Sequence, residues 1–222
     1  MPDDFIADLH EYLPAEHQQL IDALATEPVS SIRLNRRKID IECSLEKVKW
    51  SEDGYYLNDR PTFTMDPLFH AGAYYVQEAS SMAVEQVFRQ YMKEVESPVV
   101  LDLCASPGGK TTHLASLLDG EGFLLSNEVV KTRTKTLCEN VAKWGFANTA
   151  VCSVMPSSFT DLTGLFDLIL VDAPCSGEGM FRKDEVAVAE WSRDNVKMCA
   201  ERQRTILKDV FPALKEDGIL IY

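Results

Sequence analysis

Beyond Ser97-Pro98 the sequence alternates short apolar runs with helical stretches, and that alternation restricts the possible folds more than any other feature. Parallel strands need long crossover connections, and strands covered on both faces read as near-continuous apolar runs. Four segments read this way: 99–103, 123–126, 150–154 and 167–171. Between them 110–118 and 131–144 read as helices, the second closed by Gly145. A long helix from a Ser192 cap towards Leu214 and a last strand, 218–222, follow. The expected fold class is α/β, with a doubly wound Rossmann-like domain over residues 98–222. Its final strand stops while still apolar, so the domain is expected to be truncated at its C-terminal strands.

Residues 1–97 lack the alternation and predict a small α+β N-terminal domain. One helix places Phe5, Ile6 and Leu9 on a single face; a second begins at Pro14 and carries Leu20, Ile21 and Leu24. A strand at 31–34 follows. Gly, Asp, Asn, Pro and aromatic residues between Trp50 and Pro67 predict short strands and turns, and Ser80 or Ser81 caps a helix running to about Met92.

The first strand of the alternating region leads through a Gly-rich turn into a helix: Leu101-Asp102-Leu103-Cys104-Ala105-Ser106-Pro107-Gly108-Gly109-Lys110-Thr111. Glycines let backbone approach a ligand closely, and the free N–H groups at a helix start favour a carboxylate or phosphate. Glu128 ends the next strand, where doubly wound folds hold ribose hydroxyls. A later strand ends in Val171-Asp172-Ala173-Pro174-Cys175-Ser176-Gly177, again at the edge where such sheets open their sites. A thiolate beside a carboxylate suits pyrimidine chemistry. Carbon 5 attacks a methyl donor only after a nucleophile adds at carbon 6, and an acid on the base accepts the displaced charge.

Formal charge is −13, but seven acids and no Lys or Arg lie in the first thirty residues, the reverse of a basic targeting segment. The longest aliphatic run, Leu168–Val171, is far too short to span a bilayer. A cytoplasmic monomer is expected. The basic run Arg33, Arg36, Arg37 and Lys38, and the pair Arg182-Lys183, are candidates for local phosphate contact with RNA. Six cysteines occur without a C-x-x-C pair, which predicts reduced thiols and no metal site.

Four segments in order, FHAGAYYVQEASSM, LDLCASPGGKT, SNEV and VDAPCSGEGMFRKD, resemble the Nop/Sun (Fmu-like) family of RNA cytosine-5 methyltransferases. The resemblance runs from about residue 30 to the end. Within the family it is to the bacterial RsmF-like enzymes of small-subunit ribosomal RNA. It implies S-adenosylmethionine as methyl donor, with Cys104, Ala105, Ser106, Pro107, Gly108, Gly109 and Lys110 around its methionine part. Glu128 would then hold the ribose hydroxyls, and Asp172 would lie near donor and target base. It also implies that the attacking thiol follows Tyr222 and that Cys175 assists release of the covalent adduct. Cytosine-5 DNA methyltransferases, by contrast, attack with the matching Pro-Cys.

One departure from the family pattern is the adenine-contacting acid: residues 152–159 contain none, and Met155 takes the matching place. Thioether packing against adenine lacks a carboxylate's hydrogen bond, so weaker donor affinity is expected. Two other functions fit parts of the sequence. A P-loop-like nucleotide-binding enzyme would need Gly at 104, where Cys stands, to complete G-x-x-x-x-G-K-T. A non-catalytic RNA-binding module would need only the basic residues.

Overall fold

A computed structural model describes residues 1–222. Two helices open the chain, α1 (Asp3–Tyr12) and α2 (His17–Leu24). A three-stranded antiparallel sheet follows, built from β1 (Ser31–Leu34), β2 (Gly54–Tyr56) and, after helix α3 (Pro67–Ala71), β3 (Tyr74–Val76). Its order is β2-β1-β3, so β1 is central, and Arg33 lies opposite Gly54 and Tyr75. Helix α4 (Val84–Tyr91) leads to strand β4 (Val99–Asp102), helix α5 (Gly109–Leu118), strand β5 (Phe123–Asn127) and helix α6 (Lys131–Trp144). Strands β6 (Thr149–Cys152) and β7 (Phe166–Leu170), helices α7 (Glu185–Glu190) and α8 (Arg193–Val210), and strand β8 (Leu214–Ile221) complete the chain.

The larger sheet is parallel throughout and ordered β6-β5-β4-β7-β8. The chain steps outward from β4 through β5 to β6, then returns to β4's other side with β7. A crevice therefore opens beyond the carboxyl ends of β4 and β7, the place where such sheets bind ligands. Val100, Leu124, Leu168 and Leu170 of the sheet pack with Phe88 of α4, Leu114 and Leu118 of α5 and Trp144 of α6. Each large apolar side chain buried this way contributes about 1.5–3 kcal/mol.

Contacts divide the chain into two compact units, residues 1–28 with 174–206 and residues 29–173 with 207–222. The boundary expected at 97/98 falls inside the second. In the first unit the ring of Phe5 meets Phe181 and Trp191 edge-on, at 5.0 and 5.5 Å between centroids. Arg193 pairs with Asp4 and Asp8, which gives part of the acidic N-terminal run a partner.

Several local expectations shift. Residues 14–16 form a turn, and α2 starts at His17. Neither Ser80 nor Ser81 caps α4; both lie in a 3-10 turn preceding it. Helix α8 stops at Val210 because Pro212 lacks the N–H that would continue it.

Candidate cofactor and active site

The turn after β4 is held from three directions. Leu103 N–H donates to Leu170 O of β7 at 2.9 Å, and Ala105 N–H to Asn127 O of β5 at 2.9 Å. Asn127 Nδ2 donates to Leu103 O, while its Oδ1 accepts from Val154 N–H, so one side chain ties the ends of β4, β5 and β6. From α6, Arg133 Nη2 donates to Ser106 O (2.9 Å) and Asn140 Nδ2 to Pro107 O (2.8 Å). Gly108 has φ +112°, a left-handed conformation that favours glycine, and a Cβ there would lie 3.3 Å from Leu137 Cδ1. With the carbonyls of 106 and 107 engaged on α6, the first N–H groups of α5 have no intrahelical acceptor.

Lys110 Nζ lies 2.7 Å from Asp172 Oδ2, bringing the turn and the end of β7 together. An ammonium beside a carboxylate complements the two charges of an α-amino acid. Glu128, buried at the end of β5, accepts from Val130 N–H through Oε1 (2.8 Å), and its Oε2 lies 3.6 Å from Arg133 Nη2. A carboxylate fixed in this way can accept from a diol. A cavity of about 250 Å³ beside Lys110 and Asp172 is lined by Ser80, Ser81, Val84, Val87 and Ile221. The roomier groove between α4 and α5, near Phe88 and Leu117, is not at this edge of the sheet.

A buried carboxyl and a half-buried thiol flank the start of the turn. Burial pushes the carboxyl of Asp102 up to about 7, against the hydrogen bond from Thr111 Oγ1 (2.6 Å) and the charge of Lys110; Asp172 and Glu128 add to the rise. Burial, with those same three acids, pushes the Cys104 thiol up to about 12. Cys104 is therefore a protonated wall of the site. Thr111 is fully buried and its hydroxyl is engaged by Asp102, whereas a P-loop needs that hydroxyl on a metal ion. The nucleotide-triphosphate alternative loses its key ligand.

Cys175 is exposed and belongs to the first unit. Its loop is fixed locally: Gln203 Nε2 donates to Pro174 O (2.9 Å), and Glu178 accepts from both Ser176 Oγ and Trp191 Nε1. Arg182 and Lys183 follow on the same segment. Met155 is exposed just past β6.

The basic run needs correction at one position. Arg33 is 1% exposed and cannot reach an RNA phosphate, because β1 carries it into the interior against α5. Arg36 binds Asp53, Tyr55 and Ile41 O; Arg37 binds Asp119 and covers Phe146; Lys38 donates to two backbone carbonyls. These three remain exposed. The reading by residue type also missed Asn127, Arg133 and Asn140, which no periodicity marks, and Asp102, whose acid inside an apolar strand was the available signal.

The sheet order and the edge site define the class: a Rossmann-like methyltransferase fold. A family model described as 16S rRNA methyltransferase RsmB/F matches residues 89–222, and one described as the N-terminal domain of 16S rRNA methyltransferase RsmF matches residues 1–79. The chain belongs to the RsmB/F methyltransferase family. It is 36% identical over 241 residues to ribosomal RNA small subunit methyltransferase F of Vibrio cholerae, covering 100% of this chain and 50% of that protein. The enzyme of the same name from Pectobacterium carotovorum is 34% identical, with 100% and 49% covered. The chain thus spans about half the length of the curated relatives it matches. Among solved structures, a methyltransferase homolog protein from Pyrococcus horikoshii superposes with TM-score 0.82 at 27% identity, covering 100% of this chain and 72% of that one. NSun6 from the same organism, solved with SFG, gives 0.81 at 18% identity, with 99% and 82% covered, and shares the fold.

Proposed function

We propose that this chain is the cofactor-binding part of an RNA cytosine-5 methyltransferase acting on small-subunit ribosomal RNA, and hence in the cytoplasm. The observation that carries the reading is the Lys110–Asp172 pair at the mouth of the glycine turn, in line with Glu128 on the same sheet edge. S-adenosylmethionine supplies an electrophilic methyl group when bound there. Residues 104–110 enclose its methionine end, with Lys110 and the α5 N–H groups on the carboxylate and Asp172 on the ammonium. Glu128 accepts from the ribose hydroxyls, and Met155 packs on adenine.

Toward the substrate, Asp172 also accepts from the cytosine's polar edge, and Cys175 assists release of the covalent adduct. Residues 1–97 contribute an RNA-contacting surface. Arg36, Arg37 and Lys38, with Arg182 and Lys183 on the other segment, supply phosphate contacts.

Transfer of labelled methyl groups from S-adenosylmethionine to unmodified small ribosomal subunits by the full-length protein tests this reading. Label in 5-methylcytidine of the ribosomal RNA is the expected result. Label in another nucleoside, or none, contradicts it.

A further inference from the structure

Arg33 is a buried cation whose acceptors are all neutral. Its Nε donates to Gln77 Oε1 (2.8 Å), its Nη2 to Thr112 Oγ1 (2.7 Å) and Gly109 O (3.3 Å), and its Nη1 to Ser116 Oγ (3.4 Å). The guanidinium also lies over the Trp144 ring, 4.6 Å from its centroid. Burial lowers it to about 9, which leaves it charged at neutral pH. The acids that face it from neighbouring elements have nearer partners: Asp53 holds Arg36, and Glu85 holds Arg89 and His113.

Three of these acceptors, Gly109, Thr112 and Ser116, belong to the first two turns of α5. The buried charge therefore sits behind the helix end that also presents its own positive dipole and Lys110. Two acids touch that cluster: Asp102, on Thr111, which burial keeps protonated up to about pH 7, and Asp172, on Lys110, which is 60% exposed. The low dielectric around Arg33 carries its field forward with little screening.

We infer that Arg33 is a positioning residue for the cofactor's carboxylate: it pins the first turn of α5 and supplies, from behind, the charge that favours a ligand carrying an anion at that turn. The inference rests on the methyltransferase reading. Arg33 touches no ligand and acts through Gly109, Thr112 and its field. A purely scaffolding arginine would affect every ligand of the site alike, whereas this role affects only those with the carboxylate.

Two ligands separate these cases. S-adenosylhomocysteine carries the amino-acid end, and 5′-methylthioadenosine keeps the nucleoside and sulfur without it. Gln77→Glu is the cleaner substitution, because it places a carboxylate on Arg33 Nε without changing volume, and Gln77 Nε2 has no hydrogen-bond partner to lose. Titration calorimetry is expected to show S-adenosylhomocysteine weakened about fivefold or more by Gln77→Glu, with 5′-methylthioadenosine changed by less than about twofold. The melting temperature should not fall. Arg33→Met is expected to show the same selective loss at lower stability. An unchanged preference between the two ligands, or equal weakening of both in each variant, overturns the inference. A parent protein that binds neither ligand removes the methyltransferase reading and this inference together.

Discussion

Thr111 gives its hydroxyl hydrogen to Oδ2 of Asp102 at 2.6 Å, beside the glycine turn that follows β4, and Oδ1 of the same carboxyl has no hydrogen-bond partner. A fully buried carboxyl so placed is held protonated well above its ordinary range. The folded protein therefore binds a proton that the unfolded chain releases between pH 3.8 and about 7. Because the folded state holds more protons there, stability contributed by this group falls as pH rises through that window and levels off above it.

Asp102→Asn removes that loss. Thermal melts from pH 5 to pH 8 are expected to show the variant gaining on the parent as pH rises, by up to a few kcal/mol at pH 8. His113, lowered to about 4 by burial, and Glu85, at about 2 where its hydrogen bonds outweigh burial, produce acid-side losses in both proteins and cancel in the comparison. Parallel curves across the whole range would refute the buried proton.

Gly72 closes α3 with φ +70°, and a Cβ there would lie 2.3 Å from the carbonyl oxygen of Lys143. Gly72→Ala combines left-handed strain with a backbone clash and should cost at least about 2 kcal/mol in denaturant unfolding. Gly164, with φ +62° and nothing within 4 Å, should cost only about 1 kcal/mol on the same substitution. Equal losses would show that the Lys143 contact relaxes freely.

Met155, proposed to pack on adenine, is 59% exposed. Met155→Asp should tighten S-adenosylhomocysteine several-fold, since a hydrogen bond from the adenine amino group to a carboxylate is worth about 1.5–3 kcal/mol before desolvation. Calorimetry showing no gain would remove position 155 from adenine recognition.

Cys175→Ala in the full-length protein should accumulate a denaturant-resistant protein–RNA adduct, because the exposed thiol is assigned to release. Asp172→Ala should instead abolish methylation with little loss of stability, its carboxylate being largely solvated. Loss of activity in Cys175→Ala without any adduct would make Cys175 the attacking thiol.

Much of the larger sheet was legible because its strands are unbroken apolar runs and its helices have clear ends: α6 occupies the expected 131–144 and stops at Gly145 in the left-handed conformation. The short elements were not. Helix α3 has five residues, β3 three and α7 six, too few to show a period. Site residues on the sheet edge followed from strand ends, which order along the chain reveals. Arg33 did not, because a cluster of basic residues looks the same whether solvated or divided between surface and core. Alternation along β1 puts Arg33 on the face towards α5, while Ile32 and Leu34 pack in a separate apolar cluster.

The most direct measurement is calorimetric titration of this chain with S-adenosylhomocysteine, alongside Lys110→Met and Glu128→Ala. Saturable one-to-one binding is predicted for the parent, weakened at least about tenfold in each variant, with ATP producing no heat. Absence of saturable binding, or equal affinity in all three proteins, would contradict a cofactor site at the carboxyl edge of β4, β5 and β7.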